Sequence, residues 1–114
     1  MIHDDIVYLQ HILDSIKDIK SSVGNLSKEE FQESKDIRDA CIRRLEVIGE
    51  AAKNLSQEIR DKYPLVEWKK IVGAMDLMIH SYFRVDLDVV WDILNKDLPV
   101  LKKQIVEIKK GLDK

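Results

Sequence analysis

The chain has 114 residues, of which 45% are hydrophobic and 35% charged, with a single cysteine and a formal net charge of −2. That length supports one helical core and leaves too little chain for a second. The charge excludes a global positive field that would draw the protein onto nucleic acid or an anionic membrane, and the lone Cys41 excludes an internal disulfide.

Ile6, Leu9, Leu13 and Ile16 recur at intervals of three and four behind Asp4 and Asp5, acids that suit a helix N-terminus. A first helix is therefore expected from Ile2 to near Lys20, ended by Ser21-Ser22-Val23-Gly24-Asn25. Ser27 followed by Glu30 has capping-box spacing and predicts a short helical turn from Ser27 to Phe31.

The longest periodic stretch begins near Lys35 and carries Ile37, Cys41, Leu45, Ile48, Ala52, Leu55 and Ile59 along one face. Gly49, Ala51 and Ala52 thin its middle, which fits close approach of another helix. Cys41 falls on the apolar stripe, where a buried, inert thiol is expected. Tyr63-Pro64 ends the helix, because the residue before proline is pushed out of helical geometry.

A third helix is predicted from about Glu67 to Tyr82. Its apolar face, with Trp68, Ile71, Val72, Met75, Met78, Ile79 and Tyr82, is wider than one neighbour requires, which places it centrally or at an interface. Val85-Asp86-Leu87 interrupts the pattern, and Val89, Val90, Trp91, Ile93 and Leu94 resume it to about Asn95. Asp97 is then expected to cap a last helix, with Pro99 in its first turn and Leu101, Ile105, Ile108 and Leu112 on its stripe.

No apolar run approaches the roughly 18 to 20 residues of a membrane span. Met1-Ile2-His3-Asp4-Asp5 has neither the basic start nor the apolar stretch of a signal peptide, so one cytoplasmic all-α domain over residues 1–114 is the expectation.

Histidine is the side chain most readily poised for acid–base work near neutral pH. His3 and His11 read as surface residues. His80 differs, because Asp76 stands one helical turn earlier, where it can hold the imidazole, and Tyr82 follows two residues later. The plainer alternative is that His80 packs in or caps the last turn of its helix. No Cys or His pair has metal-ligand spacing, and there is no phosphate-cradling glycine loop or nucleophile elbow. Arg38, Arg43 and Arg44 alternate with Asp39 and Glu46, which favours a solvated, salt-bridged face over a phosphate contact.

Several blocks come in a familiar order: Arg38-Asp39-Ala40, Leu45 to Lys53 (LEVIGEAAK), Trp68 to Gly73 (WKKIVG), and Ile79-His80-Ser81-Tyr82-Phe83-Arg84-Val85-Asp86. With Val90-Trp91-Asp92 and Asp97-Leu98-Pro99-Val100-Leu101 they span nearly the whole chain, which resembles the HepT branch of the HEPN family. The resemblance implies an up-and-down bundle of about five helices. It also implies a homodimer that places the His segments of both subunits in a shared cleft, and a toxin that cleaves RNA without metal or other cofactor. The partner it implies is a minimal nucleotidyltransferase, an antitoxin that adds AMP to the motif tyrosine.

The family signature is an Arg, four intervening residues, a His, one residue and a Tyr. Position by position, His80 matches the catalytic histidine, Ser81 the free residue and Tyr82 the modified tyrosine. Met75 stands where the family has its arginine, followed by Asp76. Loss of one stabilising contact to a phosphorane typically costs about 3 to 4 kcal/mol. Arg84, Arg38 and Arg43 are the candidate phosphate contacts that can compensate. The alternative is a dimeric module that has lost cleavage and serves the nucleotidyltransferase as partner or substrate.

Overall fold

The computed structural model describes residues 2–73 and 86–112, with side chains from Asp4 onward. Helix α1 (Ile2–Val23) runs three residues past Lys20 and stops at Gly24, whose φ of 53° is open to glycine and strained for other residues. Its buried stripe is Leu9, Ile12, Ile16 and Ile19; Leu13 is only half buried. Each fully buried Leu or Ile contributes about 1.5–3 kcal/mol.

Ser27 caps α2 (Lys28–Glu33) as its spacing predicts. The Ser27 hydroxyl accepts from the Glu30 N–H at 3.1 Å, and the Glu30 carboxylate accepts from the Ser27 N–H at 2.9 Å. This short helix drives Phe31 into the core. Helix α3 (Lys35–Asn54) then packs along α1, burying Cys41, Leu45, Ile48, Gly49, Ala51 and Ala52. Gly49, Ala51 and Ala52, the small residues at the middle of the stripe, are all among these buried positions.

The stripe expected to continue unbroken to Ile59 is divided at Leu55-Ser56. Ser56 caps α4 (Gln57–Lys62), accepting from the Ile59 N–H at 3.3 Å, while its own N–H and hydroxyl both donate to buried Asp5. Arg60 turns back to the Lys53 carbonyl at the end of α3. Leu55 and Ile59 remain buried, so the apolar pattern persists across a break made by tertiary hydrogen bonds.

Residues 68–73 are helical and are labelled α5. Trp68 is buried and donates its indole N–H to the Tyr63 carbonyl at 3.0 Å. The remainder of the helix expected to reach Tyr82 lies outside the described residues.

Asp86 caps α6 (Leu87–Asp92), which passes through a π-helical turn (Ile93–Asp97) directly into α7 (Leu98–Leu112). The expectation that Asp97 caps a separate helix is therefore incorrect: Leu98 is itself helical and donates its N–H to the Ile93 carbonyl. The reason is Pro99. In a straight α-helix its ring would crowd the carbonyl of residue 95, and the wider π turn relieves that crowding without ending the rod.

Helix α7 packs along α1 with Leu101, Ile105 and Ile108 buried, and Lys109 Nζ donates to Gln10 Oε1 at 2.7 Å. All secondary-structure elements among the described residues are helices, in keeping with the all-α expectation, and α2 and α4 are short, with six residues each.

Candidate functional site

His80, Ser81, Tyr82, Met75, Asp76 and Arg84 lie outside the described residues, as does the His3 side chain. The described residues form the frame on either side of that segment. α5 leads in through Gly73, and Asp86 receives the chain four residues after Tyr82. Its carboxylate accepts from the backbone N–H groups of Asp88 at 2.9 Å and Val89 at 3.3 Å.

Three contacts join α6 to α2: the Trp91 ring lies 5.3 Å from that of Phe31, and Asp88 accepts from Lys28 Nζ at 2.8 Å and from the Gln32 amide at 2.9 Å. Val90 of α6 is buried. Lys28, Phe31 and Gln32 share one face of α2 through their spacing of three and four. The hydrogen bond and charge of Lys28 hold the Asp88 carboxyl below its ordinary range, and the Asp88 hydrogen bond raises the Lys28 ammonium above its own. Sequence reasoning missed this cluster, because its halves are 56 residues apart and each is an unremarkable surface residue.

The candidate arginines separate clearly. Arg43 is exposed and paired with Glu46 at 3.3 Å, and Arg44 reaches Asp18 of α1 at 3.4 Å, both in keeping with a salt-bridged face. Arg38, in the first turn of α3, is half buried, and its Nε has no hydrogen-bond partner among the described residues. Arg38 differs from the other two in being half buried and in making no salt bridge among the described residues.

A groove of about 480 Å³ lies between the start of α5 and the α6–α7 rod. Leu65, Val89 and Val100 line it and are 89%, 52% and 56% exposed, three of the four exposed large hydrophobics among the described residues. A second depression, between α4 and α5, has mixed charge: Arg60 is engaged with the Lys53 carbonyl and Lys70 with Glu67 at 3.3 Å.

Cys41 is buried in the core, and desolvation pushes its thiol up to about 11, in keeping with an inert role. His11 is exposed, its ring edge-on to Tyr8 at 6.3 Å. Among the described residues no His, Cys, Asp and Glu group has the arrangement of a metal site, and no helix is long and apolar enough to cross a membrane.

The family model described as "Ribonuclease HepT-like" matches residues 12–108. A "Gamma-glutamylcyclotransferase and putative RNase" of Methanocaldococcus jannaschii is 44% identical over 108 residues, covering 95% of this chain and 49% of that protein. The chain thus spans about half the length of that relative. A "Putative RNase" of Caldanaerobacter subterraneus subsp. tengcongensis is 42% identical over 101 residues, covering 89% of this chain and 90% of that one. A "Probable ribonuclease HepT" of Thermococcus cleftensis is 34% identical over 103 residues, covering 90% and 94%. No solved structure matches significantly.

Proposed function

The chain belongs to the HepT-like ribonuclease family, and on that premise we propose that it is the toxin of a toxin–antitoxin pair, a metal-independent endoribonuclease of the cytoplasm acting as a single HEPN domain. The observation that carries this reading is the His80-Ser81-Tyr82 triplet within a family match over residues 12–108.

In this mechanism His80 removes the proton from a ribose 2′-hydroxyl, whose oxygen attacks the adjacent phosphorus. The bond from phosphorus to the 5′-oxygen breaks, and protonation of that oxygen completes the cleavage. Asp76 orients the imidazole. The extra negative charge on the phosphorane needs a fixed cation, which Met75 does not supply. Arg38 is favoured over Arg43, because Arg43 is paired with Glu46 whereas Arg38 makes no salt bridge among the described residues; Arg84 is the other candidate.

Tyr82 is the switch. Transfer of AMP from ATP to its hydroxyl by a cognate minimal nucleotidyltransferase, with release of pyrophosphate, places bulk and negative charge beside the RNA cleft and repels substrate. A second copy of the chain completes the cleft. The groove carrying Leu65, Val89 and Val100 supports this, since its walls are the helices that lead into and out of residues 74–85.

A second reading rests on Met75: a dimeric module that retains the nucleotidyltransferase-binding surface and Tyr82 but has lost cleavage. Mass measurement after incubation with the partner and ATP tests the switch in either case. One AMP is expected on the parent chain and none on Tyr82→Phe; an unmodified parent beside a labelled control substrate contradicts it.

A further inference from the structure

We propose that the outer rim of α7 and the adjoining flank of α1 form a docking surface for the phosphate backbone of RNA, carried by Lys17, Lys102, Lys103, Lys109 and Lys110; the choice of RNA among polyanions rests on the ribonuclease reading.

Charge is spread unevenly over the chain. Helix α7 carries four lysines and one glutamate, in a protein whose net charge is −2. That balance excludes a global positive field and leaves room for a local one. The four lysines form two Lys-Lys pairs seven residues apart. Seven residues make close to two helical turns, so Lys102 and Lys109 share one side of the helix and Lys103 and Lys110 the next, each two about 10 Å apart along the axis.

The packing of the helices adds Lys17. Asp88 ties α6 to Lys28 in α2, the helix that follows the C-terminal end of α1, whereas Lys109 near the end of α7 reaches Gln10 in the first half of α1. Helix α7 therefore runs antiparallel to α1. Two turns along both helices from the Gln10–Lys109 contact, Lys17 comes opposite Lys102.

Lys17, Lys102, Lys103 and Lys110 are exposed, and the Lys109 ammonium rests on a neutral amide oxygen. The acids on these faces offset little of the charge. Asp14 accepts from the Gln10 amide at 2.8 Å, Glu107 meets Lys110 at 3.8 Å, and Asp18 is taken by Arg44 of α3. Like charges gathered in this way repel one another, which a polyanion relieves by exchanging its counterions for lysines.

Two features of α7 favour a nucleic acid. Its apolar stripe of Leu101, Ile105 and Ile108 is buried, so the lysine face has no apolar companion to enter a membrane surface. Val100 and Gln104, which line the groove beside α5, lie on the flank opposite Lys102 and Lys109. A second copy seated in that groove leaves the lysines open.

The experiment measures binding of a single-stranded 2′-O-methyl RNA, which lacks the hydroxyl needed for cleavage, by fluorescence anisotropy over a range of salt concentrations. The full chain is compared with Lys102→Gln/Lys103→Gln and with Lys53→Glu, which changes the net charge equally at an exposed position on α3. The double variant is expected to bind about tenfold more weakly near 0.1 M salt, with the slope of log affinity against log salt reduced by about 1.4. Lys17→Gln/Lys102→Gln is expected to behave alike, Lys53→Glu to bind nearly as the parent does, and all melting temperatures to stay close to that of the parent.

An unchanged affinity and slope in both double variants overturns the proposal. So does an equal loss in Lys53→Glu, which would make the effect one of net charge, and so does a parent that ignores the oligomer but sediments with phosphatidylserine vesicles. A parent that binds the oligomer through these lysines yet leaves ordinary RNA uncut supports the docking surface and counts against the ribonuclease reading alone.

Discussion

Asp5 and Ser56, 51 residues apart, are joined by two hydrogen bonds to one buried carboxylate: the Ser56 N–H donates at 2.8 Å and its hydroxyl at 2.7 Å. The same hydroxyl accepts from the Ile59 N–H, so one serine both starts α4 and fastens it to the first turn of α1. Asp5→Ala removes an acceptor from two donors, one of them a backbone N–H. A loss of about 1–3 kcal/mol in denaturant unfolding is expected. Asp4→Ala, at an exposed neighbour, is expected to change stability by less than about 0.5 kcal/mol.

The Lys28–Asp88 contact is expected to hold throughout the neutral range. The Asp88 carboxyl is lowered, so its contribution is present above the ordinary carboxylate range and is lost as pH falls through the lowered value. The Lys28 ammonium is raised, so its contribution is complete below the ordinary lysine value and is lost as pH rises through the raised one. NMR of the Gln32 side-chain amide should therefore show a flat profile between about pH 5 and about pH 10, with changes beyond each end. A transition near neutrality would contradict this assignment.

Cys41 should resist thiol reagents in the folded protein. With the thiol pushed up to about 11 and buried, labelling at neutral pH is expected only at the rate of unfolding, and denaturant should expose one rapidly reacting thiol. Fast stoichiometric labelling of the native chain would show an opening around Cys41 in the N-terminal half of α3.

If a second copy covers the groove between α5 and the α6–α7 rod, a charge placed there should separate the subunits. Val89→Asp and Leu65→Asp are expected to shift the sedimentation coefficient from dimer to monomer, with far-ultraviolet circular dichroism unchanged, because both side chains are already exposed. Val7→Asp, an exposed apolar position on α1, serves as the control and should leave the dimer intact.

Local signals in the sequence carried most of the fold. Ser27 and Glu30 form the capping box their spacing announces, Gly24 ends α1, and the Cys41–Leu45–Ile48–Ala52 stripe is buried. What escaped was tertiary. Ser56 reads equally well inside a helix until Asp5 takes its N–H, and Asp97 looks like a cap until Pro99 is accommodated by a π turn. Arg38 and Arg43 are alike in sequence and differ in surroundings, because Glu46 engages Arg43 whereas Arg38 is half buried and makes no salt bridge among the described residues. The motif itself was legible as residue types and order, which is a statement about chemistry available at positions 75–84 and not about geometry.

The central claim is that His80 cleaves RNA although Met75 replaces the motif arginine. Its most direct test is digestion of total cellular RNA by the purified chain beside His80→Ala, Arg38→Ala and Met75→Arg, with analysis of the fragment ends. The account predicts cleavage by the parent, its loss in His80→Ala, a fall of about 100- to 1000-fold in Arg38→Ala, and a gain in Met75→Arg. Cleavage by the parent that is indifferent to His80→Ala would contradict it, and cleavage by Met75→Arg alone would establish the disabled module in its place.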